Sequence, residues 1–194
     1  MIVDQLKNGN KVSDKKFDAL FDEATRSRSA DHYTTIDVAQ AAAAYLADDQ
    51  PTRVLDIGAG VGKFCIVGSI STPGDFTGVE QYLELSDEGS ALIRKYQLQR
   101  VRLITADITA IDFTTFEAFY FYNAFHHLIS EMGTTAEDRL QYKLNSAYVS
   151  AQLQEMPMGT RLATYHSLLK EVPSCYALQS TKFSKNLKLW KKVQ

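Results

Sequence analysis

The sequence predicts a single α/β domain built on a mostly parallel sheet with helices on both faces. Three observations predict it. From residue 52 onward, short runs of β-branched and aromatic residues alternate with helical stretches, the pattern of βαβ units. A glycine-rich turn, Gly58, Gly60 and Gly62, follows the first of these runs directly. The chain of 194 residues, 45% hydrophobic and 23% charged, is long enough for one substantial core and too short for a second full catalytic domain.

Taken in order, Phe17, Leu20, Phe21 and Ala24 recur at helical spacing and predict an amphipathic helix, and residues 26–33 read as a loop. Thr34 and Asp37 have capping-box spacing before an alanine-rich second helix, which Pro51 ends. Residues 1–50 therefore read as a helical extension packed on a domain of residues 51–194. The candidate strands are 53–57, 76–80, 101–105, 118–122 and 161–165. Leu85, Leu92, Ile93 and Tyr96 mark a helical face between the second and third strands. Leu140, Leu144, Ala147, Tyr148 and Ala151 mark another after the fourth, capped by Thr134 with Glu137. The segments 175–183 and 187–190 read as an edge hairpin, antiparallel in part.

Composition excludes several classes of function. A net charge of −2 gives no global field for nucleic acid, although lysines cluster near both ends, so nucleic acid is not the expected partner. Cys65 and Cys175 are far apart and belong to no CxxC or Cys/His cluster, which fits a reducing cytoplasm and suggests neither zinc nor a disulfide. No segment is apolar over a bilayer-spanning length, and no leader is recognised at the start.

The strongest motif is VLDIGAGVGKF, a buried strand at 54–57 turning into a helix through three glycines. Glycine permits the backbone angles of a tight strand-to-helix turn and lets a ligand approach the main chain. A P-loop fails at both ends, because Ile57 stands where a glycine is needed and Phe64 where Ser or Thr is needed. A dinucleotide loop is weakened, since Lys63 occupies the third glycine position. For the loop taken alone, a turn that merely lets a helix pack close to a strand stays open.

The loop is accompanied by special residues at three more strand ends: Glu80, Asp107 and Asn123. Asp56-Ile57-Gly58-Ala59-Gly60-Val61-Gly62, followed by these three in order, resembles the class I, Rossmann-like S-adenosylmethionine-dependent methyltransferases. The resemblance implies a three-layer sandwich and S-adenosylmethionine as cofactor. It implies that Asp56, Gly58, Ala59, Gly60 and Gly62 hold the methionine end, Glu80 the ribose and Asp107 the adenine amino group. Phe64, Gln81 and Ile108 would line the same cleft, with Asn123 at its end. As isolated residues, the acids read equally as caps or turn residues.

Methyl transfer from a sulfonium needs mainly alignment of a nucleophile, so a missing catalytic triad counts for little. Asn123-Ala124-Phe125 is similar to the strand end of amino-directed methyltransferases, with Ala124 in place of a proline. Asn123, Phe125 and His126 are the catalytic candidates, and His126 or His127 would serve if a base is required. Tyr33, Thr34 and Thr35 read as a helix cap with its flanking residues, or as the start of a lid. No metal-ligand spacing supports a magnesium-dependent enzyme. The methyl acceptor and the oligomeric state are not legible. The alternatives are a module that binds the cofactor without turnover and a nicotinamide-dependent dehydrogenase.

Overall fold

The computed structural model describes residues 2–27, 33–48, 50–130 and 134–194. Its centre is a seven-stranded sheet of β1 (Arg53–Ile57), β2 (Asp75–Glu80), β3 (Val101–Thr105), β4 (Ala118–Tyr122), β5 (Arg161–Tyr165), β6 (Tyr176–Lys182) and β7 (Leu187–Lys192). The spatial order is β3-β2-β1-β4-β5-β7-β6. The first five are parallel, and β7 runs antiparallel between β5 and β6. The second strand of the C-terminal hairpin is thus inserted into the sheet, and β6 forms the edge.

The helices are α1 (Ile2–Lys7), α2 (Asp14–Asp18), α3 (Glu23–Ser27), α4 (Ile36–Leu46), α5 (Lys63–Ser71), α6 (Leu83–Lys95), α7 (His127–Ser130) and α8 (Ala136–Glu155). Continuous apolar strands such as β1 and β4 belong in a sheet covered on both faces, and two cores result. Along β4, Ala118 and Tyr120 join one core with Phe17, Ala42, Val54 and Phe64. Phe119 and Phe121 join the other with Leu55, Ile57, Val149 and Leu153. The helices of the first fifty residues pack on the first core through Leu6, Phe17, Phe21 and Leu46.

Several local expectations are corrected. The helix expected over 17–24 is two short ones, because the Asp22 carboxylate accepts the Thr25 N–H at 2.8 Å and starts α3 afresh. Arg26 and Ser27, expected in a loop, close that helix; residues 28–32 of the expected loop lie outside the described residues. The Thr34–Asp37 capping box does not form. Thr35 is the N-cap without a side-chain bond, the Thr34 hydroxyl meets the Tyr120 hydroxyl at 2.8 Å, and the Ile36 N–H is taken by Asp14 Oδ1 at 2.9 Å. α4 ends at Leu46, before Pro51.

α8 is capped one residue later than expected, by a Thr135–Asp138 box. Its inner face is Tyr142, Asn145, Ser146, Val149 and Leu153, whereas Leu140, Leu144, Ala147 and Ala151 are exposed. The cause is polar pairing: Ser146 donates to Glu171 at 2.8 Å and Asn145 accepts from Gln141 at 2.7 Å, so hydroxyl and amide groups can face inward.

Candidate functional site

The carboxyl ends of the parallel strands meet where the order reverses between β1 and β4, the place where open α/β sheets bind ligands. There, Gly58, Gly60 and Gly62 all adopt left-handed angles, with φ of 74°, 56° and 73°. A Cβ on Gly58 would lie 2.4 Å from the Ala124 Cβ, so the turn after β1 and the turn after β4 share a wall with no room for a side chain.

The amides of this loop are spent within the protein. Gly58 and Ala59 both donate to the Val79 carbonyl at 2.9 Å, Gly60 to Glu80 Oε2 at 2.8 Å and Gly62 to the Ala59 carbonyl at 2.8 Å. The second Glu80 oxygen accepts the Tyr82 N–H at 3.0 Å. Glu80 therefore cross-links the end of β2 to the glycine loop while retaining free lone pairs on each oxygen.

Asp56 is 3% exposed beneath the loop. Burial pushes its carboxyl up to about 7, opposed by the Cys65 thiol, which donates to Oδ2 at 3.4 Å, and reinforced by the charge of Glu80. Burial, with Asp56 nearby, also pushes the Cys65 thiol well up. Lys63, equally buried at the start of α5, brings no positive field to the cleft: its ammonium pairs with Asp14 and Asp18 of α2, both at 2.7 Å.

Asp56, Gly58, Ala59, Gly60, Lys63 and Phe64 line one narrow hollow of about 40 Å3, closed by Tyr33, Thr34, Tyr120 and Tyr122. The Phe64 and Tyr120 rings stack at 3.8 Å and form a rigid side wall. Among its lining residues Asp56 is acidic and Lys63 is already paired with Asp14 and Asp18, so the cleft disfavours an anionic ligand.

On the other face of β4, Asn123, Phe125 and His126 line a second, smaller hollow with Phe121, Tyr142, Leu168 and Glu171. Asn123 has a φ of 43°, a left-handed conformation that asparagine tolerates better than most residues. Phe125 is held edge-on to Phe121 at 5.7 Å, and His126 is exposed. The three catalytic candidates are therefore brought together, beside the cofactor candidates and separated from them by the Ala124 turn.

The remaining candidates stand apart from both hollows. Gln81 is exposed, with Nε2 3.4 Å from Nε2 of His127. Asp107 caps a short 3-10 turn (Ile108–Ala110), accepting from the Thr109 N–H at 2.8 Å and its hydroxyl at 2.6 Å. Ile108 is buried in the second core. Gly62 packs against Leu103 rather than into the cleft. Sequence reasoning missed Tyr120, Tyr122, Tyr142 and Glu171, and registered Lys63 only as a motif mismatch. The alternation along β4 was the available signal for its two tyrosines; nothing local marked Glu171. Among the described residues, no group of three or more His, Cys, Asp or Glu could hold a metal ion, and no helix is long and apolar enough to cross a membrane.

No family model matches the sequence. No curated protein matches it either. Solved structures do resemble the fold. The RNA methyltransferase from Salinibacter ruber in complex with S-adenosyl-L-homocysteine aligns over 79% of this chain and 88% of its own, with a TM-score of 0.55 and 13% identity. TrmN from Thermus thermophilus aligns over 86% of this chain, with a TM-score of 0.59 and 17% identity, and WbdD over 86%, with 0.60 and 13%. The chain spans 53% of TrmN and 42% of WbdD, less than two thirds of each. These similarities identify the parallel five-stranded core with β7 antiparallel beside β5 as the fold of the class I S-adenosylmethionine-dependent methyltransferases.

Proposed function

We propose that the protein binds S-adenosylmethionine in the cleft under the glycine loop and transfers its methyl group to an acceptor presented at the end of β4. The observation that carries this reading is the charge of the cleft. A dinucleotide site offers free loop amides to a pyrophosphate, yet here four loop amides are bonded internally, Gly60 to the Glu80 carboxylate among them, and Asp56 lines the hollow. That arrangement repels a pyrophosphate and attracts an ammonium and a sulfonium, which argues against a dehydrogenase. The Salinibacter ruber methyltransferase, crystallised with S-adenosyl-L-homocysteine on the same fold, supports the same ligand.

In this reading Glu80 accepts the ribose hydroxyls on the lone pairs left free by the loop amides, and Asp56 faces the amino-acid end. The bound cofactor supplies the electrophilic methyl group, so the chain's task is to orient the acceptor, for which Asn123 and Phe125 are placed. Asp107 with Ile108 would border the adenine and Gln81 the ribose edge. A cytoplasmic location, an unidentified acceptor and action away from membranes complete the proposal.

Calorimetry with S-adenosylhomocysteine tests it. Binding in the micromolar range, on the order of 7 to 9 kcal/mol, is expected. Glu80→Ala should weaken it by roughly 1.5 to 3 kcal/mol, through loss of charge-assisted hydrogen bonds to the ribose. Tight binding of NAD with none of the homocysteine nucleoside would overturn the reading.

A further inference from the structure

The hollow under the glycine loop is narrow because the chain itself fills the cleft. At about 40 Å3 it has room for a few waters and none for a nucleoside. Its cover is the stretch 33–36, which leads into α4. The Tyr33 ring lies over Gly60, where a Cβ would meet Tyr33 Cε1 at 3.6 Å. Two hydrogen bonds hold this cover: the Thr34 and Tyr120 hydroxyls pair at 2.8 Å, and Asp14 Oδ1 accepts the Ile36 N–H at 2.9 Å.

The contact beside them is of a different kind. Lys63 is buried, and its ammonium pairs with Asp14 and Asp18 of α2, so detaching α2 would leave a buried charge unpaired. Parting one hydroxyl pair and one N–H bond costs far less, since water replaces both partners once the cover lifts. Asp14 serves both contacts, and it keeps Lys63 when it loses the Ile36 N–H. α2 is therefore pinned, and the stretch 33–36 is releasable. From this we infer that residues 33–36 are an autoinhibitory strap, which must part from Tyr120 and Asp14 before a ligand of nucleoside size can enter the cleft.

The inference rests on the methyltransferase reading for the identity of the ligand, while the strap stands on the closed geometry. Strap and ligand compete for one volume, so the fraction of molecules with the strap open scales affinity and association rate together. Weakening the latch should then improve binding, the opposite of what removing a ligand contact does.

Thr34→Val and Tyr120→Phe each remove one hydroxyl of the latch, the second keeping the ring that stacks on Phe64. Amide hydrogen exchange, followed by NMR before any ligand is added, reads the strap directly. The Ile36 amide and the Ala39 amide, which donates to the Thr35 carbonyl at 2.8 Å, should exchange about fivefold faster in both variants. The Ala47 amide, bonded to Ala43 at the far end of α4, should not change, which separates strap opening from a general loss of stability. S-adenosylhomocysteine should associate about threefold faster and bind about threefold more tightly than to the unaltered protein. If one variant fails to fold, the other decides. Unchanged exchange at Ile36 and Ala39 overturns the strap, and so does weaker binding in the variants. Faster exchange with no S-adenosylhomocysteine binding by any of the three proteins supports the strap and overturns the methyltransferase reading. Binding by the unaltered protein with no gain in either variant supports that reading and overturns the strap.

Discussion

The floor of the hollow beneath the glycine loop and the hollow beyond β4 lie on either side of the same turn, yet they are assembled in opposite ways. The floor is closed by short-range contacts: Glu80 to Tyr82, Asp56 to Cys65, and Gly60 to Glu80 across one βαβ unit. The hollow beyond β4 is assembled from the turn after β4, the inner face of α8 and the segment after β5, with Ser146 joined to Glu171 across two elements. Backbone geometry sets the first, and side-chain packing sets the second. In the proposed reading, a change in the hollow beyond β4 would therefore alter what is methylated without disturbing the glycine loop.

Gly58 is where the two halves touch, and Gly58→Ala should give the largest effect. The left-handed backbone adds about 1 to 2 kcal/mol for any Cβ. The 2.4 Å approach to the Ala124 Cβ adds overpacking of about 1 to 3 kcal/mol. We expect a loss of roughly 2 to 5 kcal/mol in stability, with S-adenosylhomocysteine affinity falling alongside. Ala124→Gly in the same chain should recover the overpacking part and leave the backbone part. An unchanged melting temperature in Gly58→Ala, measured by calorimetry, would show that the halves do not share this wall.

The difference in construction explains what could be read from the sequence. The strands at 53–57, 101–105, 118–122 and 161–165 stand where the apolar runs put them, because a buried parallel strand has little choice of partner on either face. The glycine turn was equally legible, since only a glycine accepts its angles at no cost. The inner face of α8 was not: its leucines at 140 and 144 point to solvent, and its serine and asparagine point inward because partners elsewhere in the chain satisfy them. Glu171 was illegible for the same reason, as a carboxylate in the sequence carries no sign of its own burial. The Thr34 cap was misread because Tyr120, far along the chain, competes for the hydroxyl.

A sharper division of the halves comes from Asn123. Its φ of 43° means that an alanine there would add backbone strain, so Asn123→Gly is the cleaner removal of the amide. If the amide orients the acceptor, kcat should fall by about 10- to 1,000-fold. S-adenosylhomocysteine affinity should hardly move, because the turn would keep its contact with Gly58. Parallel loss of cofactor affinity, seen by calorimetry on the same variant, would move Asn123 to the cofactor half.

The smallest expected effect on function, about tenfold in affinity, comes from Asp56 beneath the loop, whose carboxyl is raised by burial to about 7. In the unfolded chain the same group ionises near the ordinary carboxylate range, so the folded state holds the extra proton between about pH 4 and 7. Stability from this group is therefore full at acid pH and declines as pH rises, by roughly 4 kcal/mol once the carboxyl is ionised in both states. If the α-ammonium of the ligand's amino-acid end lies against Asp56, it reverses that preference, since it binds best to the ionised form and drives the proton off. Affinity should then rise about tenfold between pH 6 and 8 and level off above, while the free protein becomes less stable over the same interval. Asp56→Asn should flatten both curves, with a higher melting temperature than the unaltered protein at pH 8 and weaker S-adenosylhomocysteine binding at every pH. Calorimetry in buffers of different ionisation enthalpy gives the direct reading, because proton release on binding makes the observed heat depend on the buffer. Heat independent of the buffer at pH 6.5, with affinity flat across neutrality, would mean that Asp56 supports the loop without facing the ligand, and the charge argument for the cleft would fall.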